Sequence, residues 1–188
     1  MIEAKPSDAM RGIGIVQSGS PILHQPAQPL NLPIEHDLAA AIVNDLVAAM
    51  HRARRIHNFA KGMGIAAPQL GISRRAAVVQ PPAPDAPVIT LLNPTIISRS
   101  DDEDEQYEGC LSFFDVRGKV PRPLRIEVET NTPTGELRLA EYRDGLARLI
   151  QHEIDHLDGI LYTARMKPTL QTIPVEQYRQ TGRSWSYG

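Results

Sequence analysis

This 188-residue chain has a single cysteine, no long apolar run and no excess of positive charge, and each shortage removes a class of protein. One thiol, Cys110, cannot form an internal disulfide; that fits a reducing compartment and argues against a disulfide-stapled scaffold. No apolar stretch approaches the ~18 residues needed to span a bilayer. Lys and Arg number 20 against 22 Asp and Glu, a net charge of -2. Nucleic-acid binders carry a basic excess, so neither nucleic acid nor membrane is an expected partner. The opening Met1-Ile2-Glu3-Ala4-Lys5-Pro6 has no basic segment followed by an apolar one, so it does not read as a signal peptide. No internal repeat is visible. What remains is 41% hydrophobic with a mean hydropathy of -0.27, an ordinary globular composition at a length suited to one domain.

Residues 1–35 are rich in Pro, Gly and polar side chains and read as an irregular lead-in. From Asp37 to His51, Leu38, Ile42, Leu46 and Met50 recur every four residues, which predicts an amphipathic helix with Glu35 and Asp37 near its positive end. His51 to Arg55 reads as a basic helix end. Gly62-Met63-Gly64 breaks regular structure and Gly71 closes that segment. Ala76–Val79 and Val88–Leu92 read as strands. Asp101 to Glu105 reads as a solvated acidic loop rather than a calcium site, for want of the glycine and spaced final Glu such loops use. Leu124–Glu129 and Glu136–Leu139 alternate apolar and polar residues around a Pro-Gly turn and predict a hairpin. A second helix starts at Asp144 as N-cap and stops near Leu157-Asp158, with Gly159 as a left-handed terminator. The order implies an α+β fold.

The chemistry concentrates in His152-Glu153-Ile154-Asp155-His156. On a helix, histidines at i and i+4 share a face one turn apart, so both can reach one metal ion. The carboxylate of Glu153 can then take a proton from a metal-polarised water and return it. Asp155 either orients a ligand imidazole or makes a surface pair. A catalytic metal site takes three protein ligands and keeps one position open. Downstream candidates for the third are poor: no histidine follows His156, Asp158 is too close and Glu176 sits in a polar tail. Upstream, Cys110 in Glu108-Gly109-Cys110-Leu111-Ser112 is the better choice.

Three segments together resemble the peptide deformylases: Gly62-Met63-Gly64-Ile65-Ala66-Ala67-Pro68-Gln69, Glu108-Gly109-Cys110-Leu111-Ser112 and Gln151-His152-Glu153-Ile154-Asp155-His156. The resemblance spans about Ile13 to Met166. It implies a catalytic domain over 1–166, with 1–12 flexible and 167–188 a tail without helical periodicity. It implies short antiparallel sheets around a central motif-bearing helix, preceded by a long N-terminal helix. Cys110, His152 and His156 would bind the metal: ferrous iron natively, with zinc, nickel or cobalt as substitutes. Gln69 and the Leu111 N–H would hold the oxyanion and Glu153 would act as general base and acid. Met63, Gly64, Ile65, Gly109, Arg117 and Leu149 would meet the substrate, a formyl-methionyl peptide of a nascent chain near the ribosome in a bacterial cytoplasm. Gly64 would let the peptide backbone approach closely. Glu108 and Arg122 would pair to brace the Cys110 strand. Two departures from the family's pattern stand out: Phe113-Phe114 after Ser112, and a longer Arg54–Lys61 connection near the site. The alternatives are an amidase or metallopeptidase acting on another N-acyl substrate, and a non-catalytic deformylase-like binding protein.

Overall fold

The computed structural model describes residues 5–83 and 85–181. Its elements run α1 (Pro6–Gly12), α2 (His36–Ile56), β1 (Met63–Ala66), β2 (Ala76–Gln80), β3 (Ile89–Leu92), β4 (Thr95–Arg99), β5 (Glu103–Cys110), β6 (Phe113–Pro123), β7 (Arg125–Asn131), β8 (Leu137–Arg143), α3 (Asp144–Leu157), β9 (Ile173–Pro174) and α4 (Val175–Thr181). Short helices and antiparallel strands make a mixed α and β fold of three three-stranded sheets, ordered β1-β2-β3, β4-β7-β8 and β5-β6-β9.

The first sheet separates two cores. All five residues of β2 are buried, because both faces are covered. Alternation then divides its side chains: Ala76 and Val78 join the core under α2, whereas Ala77 and Val79 join the core under α3. On α2 the buried face is Ala39, Ile42, Leu46, Ala49, Met50 and Ala53. Leu38, expected on that face, is exposed, and the helix continues through the basic cluster to Ile56.

Several expectations are corrected. The lead-in contains α1, which is tied down at long range: Ser7 donates from its backbone N–H and its hydroxyl to Asp115 at 2.8 and 2.7 Å, and Met10 is fully buried. The expectation of flexibility for residues 1–4 lies outside the described residues. The long helix is therefore second, not first. Met63 and Gly64 are strand, not a break, because β2 pairs with them in register. The acidic run contributes Glu103–Glu105 to β5. Asp144 is the first residue of α3 rather than its N-cap; that position falls to Arg143, whose side chain makes no capping hydrogen bond. The tail holds β9 and α4, anchored by buried Val175; Trp185 lies outside the described residues. Gly159 adopts φ 74° after α3, where a Cβ would stand 2.7 Å from the backbone of Gln25.

Candidate active site

From Ala147 to Leu157 every residue of α3 is buried, yet six of these eleven are polar: Arg148, Gln151, His152, Glu153, Asp155 and His156. Buried polar groups need partners. Gln151 donates to the Pro123 and Ala147 carbonyls. Arg148 reaches Glu108 at 2.7 Å and Asp104 at 2.5 Å. Asp155 receives Arg122 at 2.5 Å and Arg165 at 2.7 Å, so it neither orients an imidazole nor lies at the surface. The orienting carboxylate is Glu108, which accepts from His152 Nδ1 at 3.0 Å. It also takes a two-pronged bond from Arg122, both prongs 2.9 Å, at 2% exposure. Burial pushes the Glu108 carboxyl up, but the charge of Arg122 and the hydrogen bonds from His152 and Arg122 outweigh it and hold the group well below the usual carboxylate range. The pair expected to brace the Cys110 strand is present, as a buried junction between β5, β6 and α3.

His152, already held by Glu108 through Nδ1, and His156 converge on Cys110. Its Sγ lies 3.1 Å from His156 Nε2, and one ligand atom each from Cys110, His152 and His156 falls within 4.8 Å of the others. Three ligands at 2.0–2.3 Å around a tetrahedral centre stand about 3.5 Å apart, so the cluster fits a divalent cation. The chemistry of the donors agrees. Burial raises the Cys110 thiol, but the charge of His156 and hydrogen bonds from both histidines bring it well below the ordinary value, toward the thiolate that binds metals. Tyr162, which the sequence did not single out, stacks on His152 at 6.0 Å.

Beside the cluster lies a cavity of about 300 Å3, lined in part by Gly64, Gln69, Leu111, Leu149 and Glu153. Oε2 of Glu153 is buried with no hydrogen-bond partner among the described residues. Burial pushes this carboxyl up to about 7 against the opposing pull of His152 and His156. A group poised there can both accept and release a proton. A Cβ on Gly64 would stand 2.6 Å from Cδ of Glu153, so what the missing side chain makes room for is this carboxylate. Gln69 sits in the 3-10 turn Ala67–Leu70. Its Oε1 accepts from the Ala66 N–H at 2.9 Å, which fixes the amide and aims Nε2 at Cys110 Sγ, 3.5 Å away, and at Ser112 Oγ, 3.2 Å away.

Met63, Gly109 and Arg117 also line the cavity. Arg117 is not exposed: it donates to the Phe114 and Val116 carbonyls, covers the Phe114 ring at 4.7 Å, and occupies the space a Gly109 side chain would need. Ile65 does not line the cavity; alternation along β1 turns it into the core under α2. Of the two departing aromatics, Phe114 lines the cavity and Phe113 leans on Tyr162. The connection after α2 brings His57 and Phe59 to the same cavity, edge-on to each other at 4.9 Å. Sequence reading also missed Arg148 and Tyr178, since neither lies in a motif.

A buried thiol and two imidazoles close enough to hold one cation, with the Glu153 carboxylate alongside, have the make-up of a metal-dependent hydrolase site. Comparison with known proteins narrows the class. The family described as polypeptide deformylase matches residues 13–172. Peptide deformylase 2 of a Nostoc species is 36% identical over 88% of this chain and 92% of its own. The peptide deformylase of Acidobacterium capsulatum is 37% identical over 90% and 95%. A Met-Ala-Ser-bound class I type b peptide deformylase from Acinetobacter baumannii superposes with a TM-score of 0.69 at 33% identity, over 80% of this chain and 97% of that one. The chain belongs to the peptide deformylase family, hydrolases of N-formyl amide bonds.

Proposed function

We propose that Glu153 is the proton-transferring residue of a deformylation in which Cys110, His152 and His156 hold ferrous iron, or zinc, nickel or cobalt in its place. The observation that carries this is the buried Glu153 carboxylate beside the three-residue cluster, its Oε2 without a hydrogen-bond partner among the described residues. A bound cation supplies Lewis acidity that makes water acidic enough to deprotonate near neutral pH. Glu153 takes the proton as the water oxygen bonds to the formyl carbon. Gln69 Nε2 and the Leu111 N–H stabilise the charge that develops on the formyl oxygen. Glu153 then delivers its proton to the amine as the C–N bond breaks, leaving formate and a free N-terminus.

Met63, Gly109, Arg117 and Leu149 would surround the methionyl residue, with Leu149 and Met63 supplying apolar contact. The Met-Ala-Ser held by the Acinetobacter relative supports a methionyl peptide as the ligand. The sheets arranged around α3 would form one catalytic domain with the N-terminal segment, and α4 would be its appendage. The substrate would be a nascent chain met near the ribosome in a bacterial cytoplasm; no helix among the described residues is long and apolar enough to cross a membrane.

A substrate panel tests the reading. Protein loaded with iron or nickel under anaerobic conditions should release formate from formyl-Met peptides and leave acetyl-Met and internal amides intact. Preference for acetyl or internal amides would replace it with a general amidase or peptidase.

A further inference from the structure

A second cavity adjoins the first. It measures about 320 Å3 and is lined by Glu105, Gln106, Lys119 and Gln177 among others. The two cavities share Lys61, Tyr107 and Tyr178. Strand β5 runs beneath both: Tyr107 to Cys110 line the first, and Glu105 to Tyr107 line the second. At about 3.3 Å per residue, Cys110 to Tyr107 is about 10 Å, the length of three extended peptide residues.

A cavity of about 300 Å3 is at the small end of ligand sites, so a formylmethionyl unit occupies most of it and the rest of a peptide must leave. Tyr178 of α4 stands at that exit. Its hydroxyl accepts from Lys61 Nζ at 2.7 Å, which joins α4 to the connection after α2. Its ring meets Tyr107 edge-on at 5.5 Å and lies 5.9 Å from the Arg117 guanidinium. The side chains of Lys61, Tyr107 and Tyr178 thus stand where the two cavities meet, with the Lys61–Tyr178 hydrogen bond among the contacts that hold them there. Beyond it, Glu105, Gln106, Lys119 and Gln177 offer polar contacts that suit a peptide of varied sequence.

We propose that Tyr178, latched by Lys61, is a specificity-determining residue that gates passage between the cavities, so that the second cavity receives the peptide from about its third residue onward. The inference rests on the deformylase reading of the first cavity. A formyl-Met amide stays short of the latch, whereas a longer peptide must open it. Losing a charge-assisted hydrogen bond corresponds to roughly a ten-fold discrimination against the longer chain.

The test is kcat/KM for formyl-Met-amide and for a formyl-Met-Ala-Ser-Ala amide, measured with the full-length metal-loaded protein. Wild type is compared with Tyr178→Phe, which keeps the ring and removes the hydroxyl, and with Lys61→Met. The long-to-short ratio should rise about ten-fold in both variants. Because the ratio is internal to each sample, differences in active fraction cancel. A ratio that stays constant or falls, with both peptides turned over, overturns the gate alone. Failure of the wild type to deformylate either peptide overturns the underlying reading and the gate with it.

Discussion

Replacing Glu108 by alanine is the sharpest test of how this fold holds its site. The substitution removes both prongs of the Arg122 pair, the 2.7 Å bond from Arg148 and the acceptor for His152 Nδ1. Removing one partner of a buried ion pair costs about 3–5 kcal/mol, since a charge is left without compensation. Here both guanidiniums keep a carboxylate, Arg122 that of Asp155 and Arg148 that of Asp104, each at 2.5 Å. The expected loss is therefore near the lower bound, about 3 kcal/mol, or a melting temperature roughly 6–12 °C lower for a chain of this size. His152 also loses the group that orients its ring, so metal affinity should fall about 10–100-fold. Glu108→Gln preserves shape and one acceptor and should lose less on both counts. Urea unfolding and a chelator competition measure the two effects. Wild-type stability together with wild-type metal affinity in Glu108→Ala would refute the reasoning.

Other substitutions probe separate parts. Gly64→Ala should reduce formate release about 100-fold while stability changes little, because its Cβ drives into the Glu153 carboxylate; activity near wild type would refute that role for the glycine. Gly159→Ala should destabilise by about 2 kcal/mol in urea unfolding, from its φ of 74° and its approach to Gln25. Asp115→Ala should free Ser7 and, at a loss of about 1–2 kcal/mol locally, speed tryptic cleavage after Arg11; an unchanged cleavage rate would mean α1 is held otherwise.

What could be read from the sequence were features whose signal is local. The hairpin β7–β8 alternates visibly, Gly159 stops α3 by its own backbone freedom, and His152 and His156 declare a shared face by spacing alone. What could not be read depends on contacts distant in the chain. Gly64 looks like a breaker, yet β2 pairs with it in β1, and the position needs glycine because Glu153, far along the sequence, occupies the space of a side chain. β6 carries Gly118, Pro121 and Pro123, which hide a strand; the prolines lie beyond the Val116–Arg117 segment that β9 pairs, where no ladder bond is lost on that side. Asp155 keeps two roles open in the sequence until Arg122 and Arg165 are placed against it, and the expected Glu108–Arg122 pair does not reveal that Arg148 and His152 also converge on Glu108. The resemblance implies a substrate contact for Ile65, whereas its side chain packs into the core under α2, a placement set by contacts distant in the chain. Tyr178 lies in a segment without periodicity and reaches the site only through α4.

The central claim is that Glu153 moves the proton at a site built by Cys110, His152 and His156. Its most direct test is formate release from a formyl-Met peptide by Glu153→Gln, with bound metal quantified on the same oxygen-free sample. The account predicts metal content equal to wild type and a rate lower by about 10²–10⁴-fold. A rate near wild type with the metal retained would contradict it.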